Sequence, residues 1–110
     1  MAWSLIFTKE LVNVTRDPGK VVKLICEVQN LDTNNTIRVS FNWKHNEVPV
    51  EYDNRFRIKN VKIKDNVFRS TLRISKLDYF DRGFWDCLAS NGADKIKSVA
   101  FLEINQSHKW

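Results

Sequence analysis

Cys26 and Cys87 are the only cysteines in the chain, and sixty residues lie between them. A lone distant pair cannot build a structural zinc site, which wants four ligands at close spacings. Two states remain, a disulfide or two free thiols. Joined, the pair would close a loop long enough to stabilise a fold by about 4 kcal/mol on the chain-entropy model. That is a large share of the stability of a small domain, and 110 residues leave room for one domain around one core.

A second signal bears on the compartment. Asn13-Val14-Thr15, Asn34-Asn35-Thr36 and Asn105-Gln106-Ser107 each fit the N-glycosylation rule. With the cysteine pair they favour an oxidising, extracellular setting, cell-surface first and secreted second. Hydrophobic residues make up 43% of the chain, which suits a globular fold rather than a disordered one. No apolar run approaches the ~20 residues of a membrane span, so no direct membrane insertion by this segment is expected. The apolar stretch Trp3–Phe7 is too short for a signal peptide and ends at Lys9-Glu10. Met1-Ala2 reads as an added start, and the chain as a module cut from something larger.

Short alternating segments recur about every ten residues, the pattern of an all-β sandwich. Val21, Leu24, Cys26 and Val28 form one run. Val39, Phe41 and Trp43 alternate with polar residues in the next. Phe68, Ser70, Leu72 and Ile74 form a third, and Val99, Phe101 and the residues to Ile104 close the series. Turn chemistry separates them. Asp17-Pro18-Gly19-Lys20 has proline to preset φ and glycine to accept positive φ. Asp65-Asn66 fits a hairpin, and Asn91-Gly92 carries the type I′ signal. Asn30–Thr36 is a long polar loop.

Cys26, then Trp43, then Asp81-Arg82-Gly83-Phe84-Trp85-Asp86-Cys87 resembles the strand B, C and F signature of the immunoglobulin fold. Leu72–Leu77 resembles strand E of its intermediate set, the I-set. The resemblance runs from about Lys9 to Ile104 within one domain, 1–110. It implies a Greek-key β-sandwich clamped by one inter-sheet disulfide, Cys26–Cys87, with Trp43 against the sulfurs. Leu72 is part of the same signature. It also implies that Asp81 pairs with an arginine of strand D, Arg55 or Arg57, and that Gly83 permits a tight corner. The chain departs from the pattern at Trp85, where the family usually has a tyrosine whose hydroxyl bonds nearby backbone. An indole donates but cannot accept, so packing with altered or absent hydrogen bonding is expected there. Asn13-Val14-Thr15, Asn46–Val50 and Cys87–Gly92 look like the immunoglobulin domain of ROR-type receptor tyrosine kinases, and Leu72–Cys87 is also similar to FGF receptor and neuregulin domains.

Between Arg55 and Arg82 lie nine basic and three acidic residues, +6 against +5 for the whole chain. Strand periodicity and strand neighbourhood would gather Arg55, Arg57, Lys59, Lys62, Lys64, Arg69 and Arg73 on one outer face. Such a face is either a site for an anionic partner, heparan sulfate or an acidic protein surface, or a solvated face that keeps an edge from aggregating. Nucleic acid is a poorer partner, for want of stacking aromatics and the right compartment. Among the aromatics, Trp43, Phe41, Phe56, Phe68, Trp85 and Phe101 are assigned to the core. Trp3, Tyr52, Tyr79, Phe80 and Trp110 are less easily placed inside; exposed, they could anchor an interface.

Catalysis finds no support. His45 and His108 are the only histidines, one at an exposed strand end and one in the tail, and neither belongs to a nucleophile or metal motif. No cofactor and no metal are expected. The resulting expectation is a non-enzymatic extracellular binding module of a cell-surface receptor, of receptor-tyrosine-kinase type. Its partner would be a protein ligand, a co-receptor or a glycosaminoglycan, with homophilic contact as a further candidate. The alternative is a structural I-set spacer in an adhesion, matrix or muscle filament protein.

Overall fold

Alternation decides which side of each strand is buried, and nine strands form among the described residues. A computed structural model describes residues 4–32, 38–51 and 53–106. The expectations placed on Trp3, Asn34, Tyr52, His108 and Trp110 fall outside the described residues. The strands are β1 (Leu5–Lys9), β2 (Val14–Arg16), β3 (Val22–Asn30), β4 (Ser40–His45), β5 (Val48–Pro49), β6 (Phe56–Lys64), β7 (Val67–Ile74), β8 (Gly83–Ser90) and β9 (Lys95–Ile104). A 3-10 turn at Tyr79–Asp81 links β7 to β8. Sheet 1 has the order β1-β3-β7-β6 and sheet 2 the order β2-β9-β8-β4-β5. All ladders are antiparallel except β2 with β9, which is parallel.

The two sheets close over Val22, Leu24 and Cys26 of β3, Leu72 and Ile74 of β7, Trp43 of β4, Trp85 and Cys87 of β8, and Leu102 and Ile104 of β9, all buried in one cluster. Cys26 and Cys87 are bonded across it, tying sheet 1 to sheet 2. Trp43 stands opposite Cys87 in the β4–β8 register, and its indole Nε1 donates to Ser70 Oγ at 2.9 Å. That bond satisfies the two polar groups that this central position buries. Phe41 and Phe56 pack half-buried on the cluster, and Phe68 on a smaller one around Leu5, Val28 and Ala89.

The residue before β3 and the whole of β9 depart from the expected phase, while Leu24, Cys26 and Val28 are buried as expected. Val22, not Val21, begins the buried face of β3, and Val21 is exposed. In β9 the inward residues are Ser98, Ala100, Leu102 and Ile104, so Val99 and Phe101 point outward. Phe101 is therefore not a core residue. Both phases of β9 carry apolar side chains, and alternation alone does not choose between them.

The turns follow their chemistry with one exchange. Gly19 takes φ +84°, and Lys20 N donates to Asp17 O. Asp65-Asn66 joins β6 to β7, with Asn66 at φ +66°. Asn91-Gly92 does not form a type I′ turn, because only Gly92 has positive φ. Instead the buried Asn91 side chain accepts from the backbone N–H groups of Ala93 and Asp94, shaping a four-residue loop. The adjacent left-handed pair of a type I′ turn is found at Asn46-Glu47, between β4 and β5.

Candidate functional site

The outer face of sheet 1 is set by the inward commitments of its strands. Because Val22, Leu24 and Cys26 face the core, Lys23 and Ile25 face out. Leu72 and Ile74 do the same for Thr71 and Arg73. The pairing register then aligns these residues. Lys23 is opposite Arg73 across β3–β7, and Arg73 is opposite Arg57 across β7–β6. Three cations stand in one row over two strand spacings, about 10 Å. In the next row Ile25, Thr71 and Lys59 are aligned, and in the third Glu27, Arg69 and Val61. Between the rows lies a shallow open groove of about 610 Å³, with Ile25, Val61 and Ile63 among its apolar walls.

Charge is not evenly neutralised along this face. Arg69 is held by Glu27, with Nη2 2.9 Å and Nε 3.0 Å from Oε1, and Thr8 Oγ1 donates to Glu27 Oε2 at 2.8 Å. The bond from Thr8, then those from Arg69, hold the Glu27 carboxyl below its ordinary value against the opposing effect of burial. Lys23, Arg57, Lys59 and Arg73 have no carboxylate partner among the described residues. Like charges directly opposite one another across strands destabilise a sheet, so the Lys23–Arg73–Arg57 row is a local cost that a bound anion would relieve.

The expected patch is thus trimmed at three residues and extended at one. Arg55 is not part of it. It turns to the end of the sandwich, where Nη1 and Nη2 lie 2.8 and 3.0 Å from the two oxygens of the buried Asp81. Arg55, not Arg57, is the family's arginine partner, and the bond to Asp81 pushes its guanidinium up further. Lys62 has the opposite phase on β6 and lies over the Phe68 ring, 6.0 Å from its centroid. Lys64 follows the irregularity between Lys62 and Lys64 and does not line the groove. Lys23 was missed because it lies outside the basic stretch. Its place between Val22 and Leu24 marks it as outward, but its neighbours become visible only with the strand order.

The corner before β8 is the second constructed feature. Asp78 caps the 3-10 turn by accepting from Phe80 N, and Asp81 Oδ2 accepts from Asp78 N at 2.8 Å. Trp85 is 1% exposed, and its Nε1 donates to Asp81 O at 2.9 Å. The hydrogen bond expected to be altered or lost is retained with the indole as donor. His45 is half-buried, not exposed at a strand end as expected. Its ring stacks on Trp85 with centroids 4.1 Å apart, and Nε2 bonds Arg82 O at 2.9 Å. A carbonyl only accepts, so Nε2 carries the hydrogen. Gly83 has φ +134°, and a Cβ there would overlap the Asn46 carboxamide. That carboxamide accepts from Phe84 N, which is why the corner can be so tight. Phe80 is 84% exposed, and the Arg82 guanidinium lies over the Tyr79 ring, 5.5 Å from its centroid.

Among the described residues, no group of three or more His, Cys, Asp or Glu side chains is gathered as for a metal ion, and no helix is long and apolar enough to cross a membrane. Of the glycosylation triplets, Asn13 is exposed before β2, and Asn105 donates its Nδ2 to Asp17 Oδ1.

Comparison with known proteins agrees with this architecture. Titin domain M7 superposes with a TM-score of 0.76 at 20% identity, covering 93% of this chain and 94% of that one. Titin M4 gives 0.75 at 19% identity, covering 92% and 95%. These identities speak to the fold alone. The cell adhesion molecule Dscam1 of Drosophila melanogaster is 32% identical over 95 residues, 86% of this chain. The chain spans only 4% of that relative's length. The model of the immunoglobulin I-set domain matches residues 5–104, the whole of the sandwich from β1 to the end of β9. The chain belongs to the immunoglobulin I-set family.

Proposed function

We propose that this domain is a non-enzymatic extracellular binding module of a cell-surface receptor or adhesion protein, and that it engages a polyanionic partner through the outer face of sheet 1. The observation that carries the reading is the Lys23–Arg73–Arg57 row, three cations aligned across three strands with no carboxylate partner among the described residues. Lys59 in the next row extends the positive surface along the groove. A linear sulfated glycosaminoglycan fits such a surface, because successive sulfates can meet successive rows while apolar sugar faces rest on Ile25 and Val61. A second copy presenting the same face would bring these cations against one another, which argues against a symmetric contact here. The inter-sheet disulfide, the glycosylation triplets and the likeness to an adhesion molecule support the extracellular setting. The short motifs shared with ROR-type receptor kinases favour a receptor ectodomain as the parent.

The test is elution from immobilised heparin against a generic cation exchanger at matched salt. The wild-type domain is expected to need more salt on heparin. The double variant Arg57→Thr, Arg73→Thr should lose that difference, while Lys62→Thr, Lys64→Thr, with the same change in net charge, should keep it. Equal elution of the wild type from both columns would remove the specific site. Capture by an acidic protein but not by heparin would assign the face to a protein partner instead.

A further inference from the structure

We infer that Asn13 is an N-glycan acceptor of this chain and that its first sugars cover an apolar patch on the outer face of sheet 2. The patch is set by the outward phase of β8 and β9. Phe84 is 57% exposed and Val99 47% exposed. Phe101 packs edge-on against Phe84, with ring centroids 4.9 Å apart. One side of Phe101 is covered by the Arg82 guanidinium, 5.3 Å from the ring centroid, which is held in turn by Glu103. Among the described residues, no cation lies over the Phe84 ring, and Val99 stays open to solvent. Phe84, Phe101 and Val99 thus form one partly exposed apolar patch on this outer face.

The acceptor triplet lies at the edge of this patch. Asn13 immediately precedes β2, which runs parallel to β9 with Val14 opposite Leu102. The Asn13 carboxamide oxygen accepts from Phe101 N at 2.8 Å, so the side chain is fixed beside the residue whose ring touches Phe84. Asn13 and Thr15 are both exposed. The nitrogen Nδ2, the atom that bears an N-linked sugar, makes no hydrogen bond among the described residues. Asn105 differs, since its Nδ2 is engaged by Asp17 in a polar recess with Pro18 and Gln106.

The chemistry leaves the Asn13 anchor in place. An oligosaccharyl transferase joins Nδ2 to the anomeric carbon of a lipid-pyrophosphate-linked oligosaccharide. The C–O bond to the pyrophosphate breaks, the lipid pyrophosphate leaves, and the amide gives up one proton. The carboxamide oxygen is untouched and still accepts from Phe101 N. The C–H face of the first pyranose then starts next to Phe101, within reach of the open faces of Phe84 and Val99, where an apolar sugar face meets an aromatic one. This inference is independent of the polyanion site, which lies on the other sheet.

The experiment compares the full chain secreted from mammalian cells behind a signal peptide with the Thr15→Ala variant, which removes the triplet but keeps the Asn13–Phe101 bond. Both proteins made in bacteria and oxidatively refolded report the effect of the substitution itself. Peptide mapping of the secreted protein is expected to find Asn13 occupied. The glycosylated protein should melt a few degrees above the unglycosylated one, and trimming to a single N-acetylglucosamine should keep that gain. In a Phe84→Ser background, a change at a position that is 57% exposed, the gain should disappear. An unmodified Asn13 in the secreted protein would overturn the inference, as would a thermal gain of the same size with Ser at position 84.

Discussion

Trp85 donates its indole hydrogen to the carbonyl oxygen of Asp81, and the same Asp81 holds Arg55 through both of its carboxylate oxygens. One residue of the 3-10 turn therefore ties β8 and the approach to β6 to the same corner. A tryptophan can replace a tyrosine here because the corner needs a donor, not an acceptor. Replacing Trp85 by Phe removes the donor and part of the ring volume. We expect a loss of about 2–3 kcal/mol in urea unfolding, from the unmade hydrogen bond and the space left behind.

Arg55 and Arg57 are two residues apart yet are expected to behave oppositely. Arg55→Ala leaves the buried Asp81 carboxylate without its cation and should cost about 2–4 kcal/mol. Arg57→Ala removes one of two arginines facing each other across β6–β7. It should leave stability within about 0.5 kcal/mol of wild type or raise it at low salt, with any gain fading as salt is added. Equal losses in chemical denaturation would show that the two arginines are not distinguished in this way.

The response to acid should carry the signature of Glu27. Its carboxyl is held below the ordinary glutamate value in the folded domain, chiefly by the hydrogen bond from Thr8 and then by Arg69. A depressed folded-state value gives stability that is fully present above the unfolded value. That stability is lost as the pH falls through the folded one. Stability should therefore drop below about pH 4.5, and Glu27→Gln should flatten that part of the curve while lowering the plateau at pH 7. Asp86 runs the other way, because burial raises its carboxyl and Oδ1 has no hydrogen-bond partner among the described residues. Asp86→Asn should raise stability at pH 7 relative to wild type and make little difference at pH 3.

Gly83 carries a conformation and a contact that a side chain would violate together. At φ +134° a Cβ is strained whatever the space around it, and here the Asn46 carboxamide occupies that space. Gly83→Ala should cost about 2 kcal/mol or more. Gly92→Ala, where nothing lies near the added carbon, should cost less, being confined to the backbone strain. Paired thermal melts of the two variants separate contact from conformation.

Much of the sandwich was legible because its strongest signals are local. The inward phase of Cys26, Leu72 and Ile74 could be read from alternation, the Asp17 turn from Pro18 and Gly19, and the Cys26–Trp43–Cys87 core from the family pattern. Phe101 was misplaced for an equally local reason, since β9 carries apolar residues on both sides. His45 looked exposed because nothing in its neighbours announces a stacking partner forty residues away. The candidate site was legible only in part. Arg57, Lys59 and Arg73 follow from strand phase, but Lys23 joins them through the order β3-β7-β6, a property of the whole chain. Arg55 was drawn out of the patch by Asp81, and no count of charges along the chain distinguishes a cation that faces solvent from one that closes a corner.

The parallel pairing of β2 with β9 also decides how the domain would respond to a pull on its ends. A pull along the chain from its two ends draws β2 and β9 in opposite directions along their common axis. The bonds between Val14–Arg16 and Leu102–Ile104, with the further bond from Asn105 N to Arg16 O, are then strained together rather than opened one by one. Behind that clasp the Cys26–Cys87 bond is a covalent shortcut between the sheets. Tension passes from one cysteine to the other without crossing the sixty residues between them. The strands of that loop, which carry Arg57 and Arg73, are thereby kept out of the line of force, and a partner bound to them would stay seated while the chain is stretched.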